Sequence, residues 1–295
     1  MQRMFYNVEV VARRYLTPGM IRLTFSGGEL GDFLTTGIGD EYLRLFFPDD
    51  ESGEVVLPII DEEGRWTYQE GKPPVKCATY TVRRFDPAAR ELDIDFVVHE
   101  GGLASSWAQA AEPGSQTVIN RPRGLYTPPP DVEWQLLMAD ATGIPALARL
   151  LEQTPATVKS HVVIEVADPG HRQDLPDHPR ATVTWLDGSG NGMGPSRLEA
   201  AFRAMKLPST PGYIWVAAEQ KPVRAIRKHV RQTLKIPAER YKLVAYWIEA
   251  KHEWQARWQV LPAAVREEIE AAWQSDRDAE DVRDEVEATL EKFNL

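Results

Sequence analysis

Short runs that alternate apolar and polar residues fill the first half of the chain: VEVVARRYL, MIRLTFSG, EYLRLFFPD, ATYTVRRFD, ELDIDFVVH and TVINRPRG. A period of two sends successive side chains to opposite faces, and the β-branched and aromatic residues in these runs suit a pleated surface. Each run therefore predicts a strand bounded by Gly, Pro or Asp turns. Strands this short and evenly spaced predict a small antiparallel barrel or sandwich. One helix interrupts them, LASSWAQAAE, which starts beside Gly101-Gly102 and ends at Pro113-Gly114.

The pattern changes after Pro128–Pro130. WQLLMAD, SHVVIEVAD, ATVTWLD and GYIWVAAE read as strands with both faces buried. IPALARLLEQ, SRLEAAFRAM and KPVRAIRKHVRQTL read as amphipathic helices between or after them. That alternation specifies a parallel sheet covered on both sides. Thr127–Asp131, rich in proline, reads as a stiff linker. From Pro262 onward, Val265, Ile269 and Trp273, then Val282, Val286, Leu290 and Phe293, recur at helical spacing on either side of the polar stretch Ser275–Asp281. One broken helix or two consecutive helices follow, packed on the second domain or on a second copy, and their outer face is acidic. The expected organisation is residues 1–127, 128–250 and a helical extension over 251–295.

A length of 295 residues fits two domains. With 43% hydrophobic and 26% charged residues, neither pervasive disorder nor a fibrous class is indicated. The single cysteine, Cys77, cannot form an internal disulfide and reads as a buried structural thiol. The N-terminal run is broken by Asn7 and Glu9, unlike a signal peptide, and no segment reaches the ~18 consecutive apolar residues of a membrane span. The expected location is the cytoplasm. A net charge of −10 argues against nucleic acid as a partner. An anionic substrate would need a local basic cluster, which screening over about 8 Å makes workable.

Three segments carry candidate chemistry. Ala78-Thr79-Tyr80-Thr81-Val82-Arg83 puts an aromatic, hydroxyls and a cation on one barrel strand, the groups a flavin ring and pyrophosphate require, although the same residues simply make a good strand. Asp95 to Ala108 runs from a strand through a glycine pair into a helix whose first turn holds Ser105 and Ser106. Its free N–H groups and positive dipole end suit a pyrophosphate, while Ser105 as a plain cap and His99 as a structural histidine stay open. Leu136 to Ala146 places Thr142-Gly143 between a buried strand and a helix opened by Pro145, where open parallel sheets bind nucleotides. Gly188–Gly194 looks like a phosphate loop, but Met193 falls where G-x-G-x-x-G needs its third glycine. It reads as a flexible surface loop near the adenosine end of a nucleotide.

The first two segments together resemble the siderophore-interacting protein family, a branch of the ferredoxin-reductase-like flavoproteins. The family pattern Arg-x-Tyr-Thr-x-Arg, Asp-Phe-Val-x-His and Gly-Pro-Ala-Ser-x-Trp-Ala is matched by Tyr80, Thr81, Arg83, Asp95, Phe96, Val97, His99, Gly102, Ala104, Ser105, Trp107 and Ala108. Ala78 replaces its leading arginine and Leu103 its proline, so a phosphate cation would come from Lys76, Arg83 or Arg123. Tyr213–Arg227 resembles the family's Trp-Val-Ala-Gly-Glu strand and helix, and Ala245-Tyr246-Trp247 its Gly-Tyr-Trp, with Ile248 in place of the arginine that usually follows.

The resemblance implies an α+β two-domain protein: an antiparallel β-barrel FAD-binding domain, an α/β parallel-sheet domain for NADPH or NADH, and a C-terminal helical extension. It implies an FAD site at Thr79, Tyr80, Thr81, Arg83, Asp95, Val97, His99, Gly102, Ala104, Ser105 and Trp107. The nicotinamide nucleotide would meet Asp140, Thr142, Gly143, Ile144 and Glu219. An iron(III)-siderophore would be the substrate, with Lys242, Lys251, His252 and Arg257 as its basic groove. No residue is expected to act as a catalytic acid, base or resident metal ligand. Two other readings stay open: a general flavin or quinone reductase, and a siderophore-binding protein with weakened FAD binding, for which Ala78 is the clue. NADH versus NADPH, the siderophore and the oligomeric state are not decided at this level.

Overall fold

The computed structural model describes residues 3–49, 52–60, 66–275, 277, 279–293 and 295. The alternating runs become β1 (Phe5–Thr17), β2 (Met20–Ser26) and β3 (Tyr42–Phe46). A separate hairpin of β4 (Ile59–Ile60) and β5 (Trp66–Thr67) follows. Then come β6 (Cys77–Thr81), β7 (Arg84–Asp86), β8 (Glu91–Val97), helix α1 (Leu103–Ala110) and β9 (Gln116–Asn120). The seven main strands form one antiparallel sheet in the order β6-β3-β9-β1-β2-β8-β7. Its inner face collects every second residue, among them Tyr6, Val8 and Val10 from β1 and Leu92, Ile94 and Phe96 from β8.

The run ATYTVRRFD is two strands, not one. Its halves lie at opposite edges of the sheet, and between them the Val82 amide bonds Glu41 O and the Arg83 amide bonds Asp93 O, each at 2.9 Å. The chain thus changes partner in mid-run and closes the sheet into a barrel. Alternation of side chains persists through the change, because it reports which face is inward and not which strand is adjacent.

The second sheet is built from β10 (Trp134–Ala139), β11 (Lys159–Val166), β12 (Ala181–Asp187), β13 (Gly212–Glu219) and β14 (Tyr241–Trp247). All are parallel, in the order β12-β11-β10-β13-β14. Helix α2 (Ile144–Gln153) covers one face over Leu137 and Ile164, while α3 (Leu198–Ala204) and α4 (Gln220–Lys228) cover the other over Leu136, Val163 and Val216. The helix expected through Leu234 turns π-helical at His229–Thr233. Strand order reverses between β10 and β13, which opens a crevice at the carboxyl ends of those two strands.

Three helices follow: α5 (Lys251–Gln259), α6 (Ala263–Trp273) and α7 (Ala279–Glu291). Of the polar stretch Ser275–Asp281, Asp276 and Asp278 lie outside the described residues, as do Met1 and Gln2 of the N-terminal run. The helices share their own cluster of Leu261, Ile269, Ala272, Val282, Val286 and Leu290. The acidic face of α7 is not wholly an outer face. Glu280, Asp284 and Glu287 turn inward onto Arg227 of α4, whose side chain is only 2% exposed. Arg231 adds bonds to Asp281 and Asp284. Charged contacts dock the extension on the second domain.

Buried polar bonds also join the two sheets. Asp40 accepts from the Leu125 and Tyr126 amides, at 2.8 Å each, and from Trp215 Nε1 at 3.0 Å. Arg149 of α2 reaches Glu41 at 3.1 Å and the Val82 carbonyl. The Glu41 carboxylate is itself held by Thr35 and Thr36.

Candidate functional site

Strand β6 is an edge strand, paired with β3 alone. The Tyr42 main chain bonds Arg123, and the Phe47 amide bonds Lys76 O. By antiparallel alternation, the main-chain groups of Cys77, Thr79 and Thr81 therefore point away from β3, along an open edge. Tyr80 faces the barrel and its ring lies 4.4 Å from that of Phe96. Thr79 is exposed, and Thr81, though buried, lies beside Tyr246 of β14 in the other domain, close enough to pull its phenol down against burial. Burial pushes the Tyr80 and Tyr246 phenols far above their ordinary range, so both stay neutral.

At the start of α1, Gly102 is the N-cap and offers no side chain, so the first-turn amides have no capping partner. Gly101 holds φ at +74° with open space around it, and a Cβ on Gly102 would sit 2.1 Å from the His99 ring. Both glycines keep this approach clear. The His99 ring is exposed, with Nδ1 3.1 Å from Glu100 O. Several residues expected to touch a cofactor have other partners here. The Ser105 hydroxyl donates to His99 O and accepts from His99 N, both at 2.9 Å, so it fixes the turn into the helix. Ala104 and Trp107 pack into the barrel core, Trp107 against Phe25 and Phe47. Asp95 forms a two-pronged pair with Arg22 at 2.6 and 2.7 Å, on the face of β8 opposite Phe96. Val97 ends β8 opposite Met20.

The cation supply is narrower than the sequence alone suggests. Arg83 bonds Glu152 of α2 at 2.7 Å and so bridges the domains, and Lys76 pairs with Asp49 at 3.4 Å. Arg123 is exposed, has no ion pair among the described residues, and lies beside Tyr42, which in turn pairs with Thr81. The open edge, the half-buried tyrosine, the bare helix start and the unpaired arginine fit a flavin with its pyrophosphate.

Across from β6 lie the carboxyl ends of β10, β13 and β14, gathered by one carboxylate. Asp140, 1% exposed, accepts from Thr142 N at 2.9 Å, Thr142 Oγ1 at 2.6 Å, Glu219 N at 2.8 Å and Trp247 Nε1 at 2.7 Å. Burial pushes its carboxyl up while those four donors pull it down. Gly143 sits where a Cβ would meet Ala217 O at 2.6 Å, so the turn Ala141–Gly143 can pass close over β13 only with glycine. Ile144 is buried beneath α2. Glu219 caps α4 through Lys221 N at 2.6 Å and also accepts from Glu249 N at 3.1 Å.

The Gly188–Gly194 segment is not a free surface loop. Ser189 is buried and donates to Glu165 at 2.8 Å. Asn191, at φ +55°, accepts from Ala141 N at 3.0 Å and donates to Glu165 O at 3.1 Å. Asn191 was not singled out by the sequence, although asparagine among glycines is the usual non-glycine choice for a left-handed conformation. Tyr246 was visible only as part of a motif, and Asp40 and Arg149 carried no signal.

The expected basic groove is only partly assembled. Lys242 is the second residue of β14 and Lys251 follows its end, and a seven-residue strand spans roughly 20 Å. Lys242 therefore lies at the opposite rim of the sheet from the site. Lys251, with Arg44, acts on the Cys77 thiol, which burial pushes up and these two cations pull down. Arg44 itself stacks 4.2 Å over Trp66. His252 is exposed on α5, and Arg257 pairs there with Glu253 at 3.1 Å.

Comparison with known proteins decides the family. Residues 9–126 match the siderophore-interacting FAD-binding domain, and residues 132–250 match the siderophore-interacting protein model. The chain belongs to the siderophore-interacting protein family. It is an FAD-binding oxidoreductase with the two-domain layout of ferredoxin-reductase-like flavoproteins. The ferric vibriobactin reductase ViuB of Vibrio cholerae is 31% identical over 252 residues, covering 83% of this chain and 90% of that protein. The NADPH-dependent ferric-chelate reductase of Escherichia coli is 30% identical over 246 residues, covering 82% and 92%. Among solved structures, a siderophore utilization protein from T. fusca superposes with a TM-score of 0.74 at 31% identity, covering 84% of this chain and 95% of that one. Within the family frame, α5–α7 lies beyond both matched regions. Among the described residues, no helix is long and apolar enough to cross a membrane.

Proposed function

We propose that the protein passes electrons from NADH or NADPH through FAD to an iron(III)-siderophore and releases iron(II) in the cytoplasm. The observation that carries this reading is the apposition of the open edge of β6 and the carboxyl ends of β10, β13 and β14, where Thr81 lies beside Tyr246. A flavin held at the first would lie beside a nucleotide held at the second. Bound FAD supplies the conversion from two-electron to one-electron chemistry.

The chain's own residues bind and orient. Thr79 and Thr81 present main-chain donors and acceptors, Tyr80 offers one ring face, and Arg123 and the first-turn amides of α1 suit the pyrophosphate. Asp140 holds the Thr142-Gly143 turn at the height of Trp247, which aligns the nucleotide edge. Lys251 and Arg44 give the cleft local positive charge in a chain of net charge −10. One hydride reduces two iron(III) centres and leaves NAD(P)+ and one proton. Iron(II) is held less tightly by hard oxygen ligands, so reduction frees the metal. The names of the Vibrio and Escherichia relatives support a ferric chelate as acceptor.

Anaerobic stopped-flow absorbance tests the sequence of steps. The purified protein should be yellow, bleach with a nicotinamide nucleotide, and regain its colour with an iron(III)-siderophore at least tenfold faster than with a quinone. Protein that cannot be loaded with FAD, or reduced flavin that only quinones reoxidise, would sink the reading.

A further inference from the structure

Glu165, the anchor of the Gly188–Gly194 segment, has no part in the flavin and nicotinamide contacts proposed above. It is the penultimate residue of β11, 0% exposed, at the carboxyl end of a parallel strand next to β10. Its Oε1 accepts from Ser189 Oγ at 2.8 Å and from Arg197 N at 2.5 Å. Its Oε2 is buried and has no hydrogen-bond partner among the described residues. A carboxylate oxygen left without a donor in the interior is costly, and such atoms are rare in native proteins. Beside Oε2 lies Gly190, where a Cβ would come within 2.1 Å, so on that side bare main chain covers it. The covering segment Ser189–Asn191 reaches across to Ala141 N, at the very turn assigned to the nucleotide.

In open parallel sheets an acidic residue about 20 positions beyond the phosphate-facing turn reads the ribose hydroxyls of NAD, whereas NADP needs a cation there for its 2′-phosphate. Glu165 lies 22 positions after Gly143. Two neighbouring cations are already engaged, Arg172 in a two-pronged contact with Asp187 and His171 with Asp168, while the exposed Arg197 side chain touches the Asp187 carbonyl at 3.4 Å.

We propose that Glu165 accepts hydrogen bonds from the adenosine ribose diol of the donor beneath a displaceable Ser189–Asn191 strap, so that this protein uses NADH in preference to NADPH. The Ser189 hydroxyl holds the place of a ribose hydroxyl on Oε1, and ribose binding exchanges that bond and supplies the donor that Oε2 lacks. A 2′-phosphate would confront a buried carboxylate instead. The inference rests on the nicotinamide donor proposed above.

The test compares kcat/KM for flavin reduction by NADH and NADPH in the FAD-loaded protein, with 5′-AMP and 2′-phospho-AMP as competitors. NADH should be favoured at least tenfold, and 5′-AMP should compete at least tenfold more tightly than its 2′-phosphorylated form. Glu165→Gln should narrow both ratios to under threefold with flavin content kept. Ser189→Ala should lower the KM for NADH without changing kcat, which a strap of purely structural role would not do. Should Glu165→Gln fail to fold, the competitor ratio of the unaltered protein and Ser189→Ala still decide. Equal or better use of NADPH, or an unchanged ratio in Glu165→Gln, would overturn the assignment and leave the nicotinamide donor standing. Failure of both nucleotides to reduce the flavin would overturn both.

Discussion

Single carboxylates do much of the positioning in this molecule. Asp140 gathers the ends of three strands, Asp40 ties the linker to Trp215, and Asp93 fastens the barrel wall. Asp93 also shows how pH should act. Burial pushes its carboxyl up, but the Arg84 and Thr24 bonds and the charges of Arg84 and Arg22 outweigh burial and hold it below its ordinary range. A carboxyl depressed on folding stabilises above its unfolded pKa, about 3.9, and loses that contribution as pH falls through the lower folded value. The difference in urea midpoint between the unaltered protein and Asp93→Asn should therefore be level from pH 7 to about 4.5 and shrink below pH ~4. Asp93→Asn should start from a lower midpoint at pH 7 and show a shallower acid decline.

At the scale of elements, the C-terminal extension is held by arginines of the second domain, of which Arg227 is the most buried. Arg227 carries three carboxylates of α7 on a side chain almost free of solvent, and its removal would leave them facing one another. The carboxylates keep 22–29% exposure, so water softens the loss. Arg227→Met should cost about 2–3 kcal/mol and act by releasing α7. Hydrogen exchange should rise along α7 while the strands of both sheets keep their protection. Equal loss of protection throughout would mean that α7 is part of the second domain's folding unit rather than an appendage.

For the whole molecule, the proposed electron path depends on the two sheets keeping their mutual position, since the edges proposed for flavin and for nucleotide belong to different domains. Arg149 is the buried bolt, joined to Glu41 and the Val82 carbonyl, with Arg83–Glu152 outside it. Arg149→Leu should leave the FAD content near that of the unaltered protein and slow flavin reduction by NAD(P)H at least tenfold. It should also split a single calorimetric transition into two. A single transition with unchanged reduction would show that the Asp40 and Arg83 contacts hold the domains without Arg149.

What the chain's order of residues determined by itself was local and repetitive. Period-two and helical patterning marked the strands and helices, including Ile144–Gln153, Ala181–Asp187 and Gly212–Glu219 to the residue. The paired motifs around Tyr80 and Ser105 pointed to the family. Such signals are legible because each depends on neighbours a few positions away. Tertiary structure alone decided who partners whom. It split ATYTVRRFD between two sheet edges, spent Arg83 on Glu152, turned Asp95 toward Arg22, and drew Ser105 onto His99. It sent Lys242 to the far rim of the sheet and pinned the glycine loop onto Glu165. A charged or hydroxyl side chain takes the best donor or acceptor within reach, and that reach is set by segments up to 175 residues apart, as for Asp40 and Trp215. Patterning carries no information about such pairs.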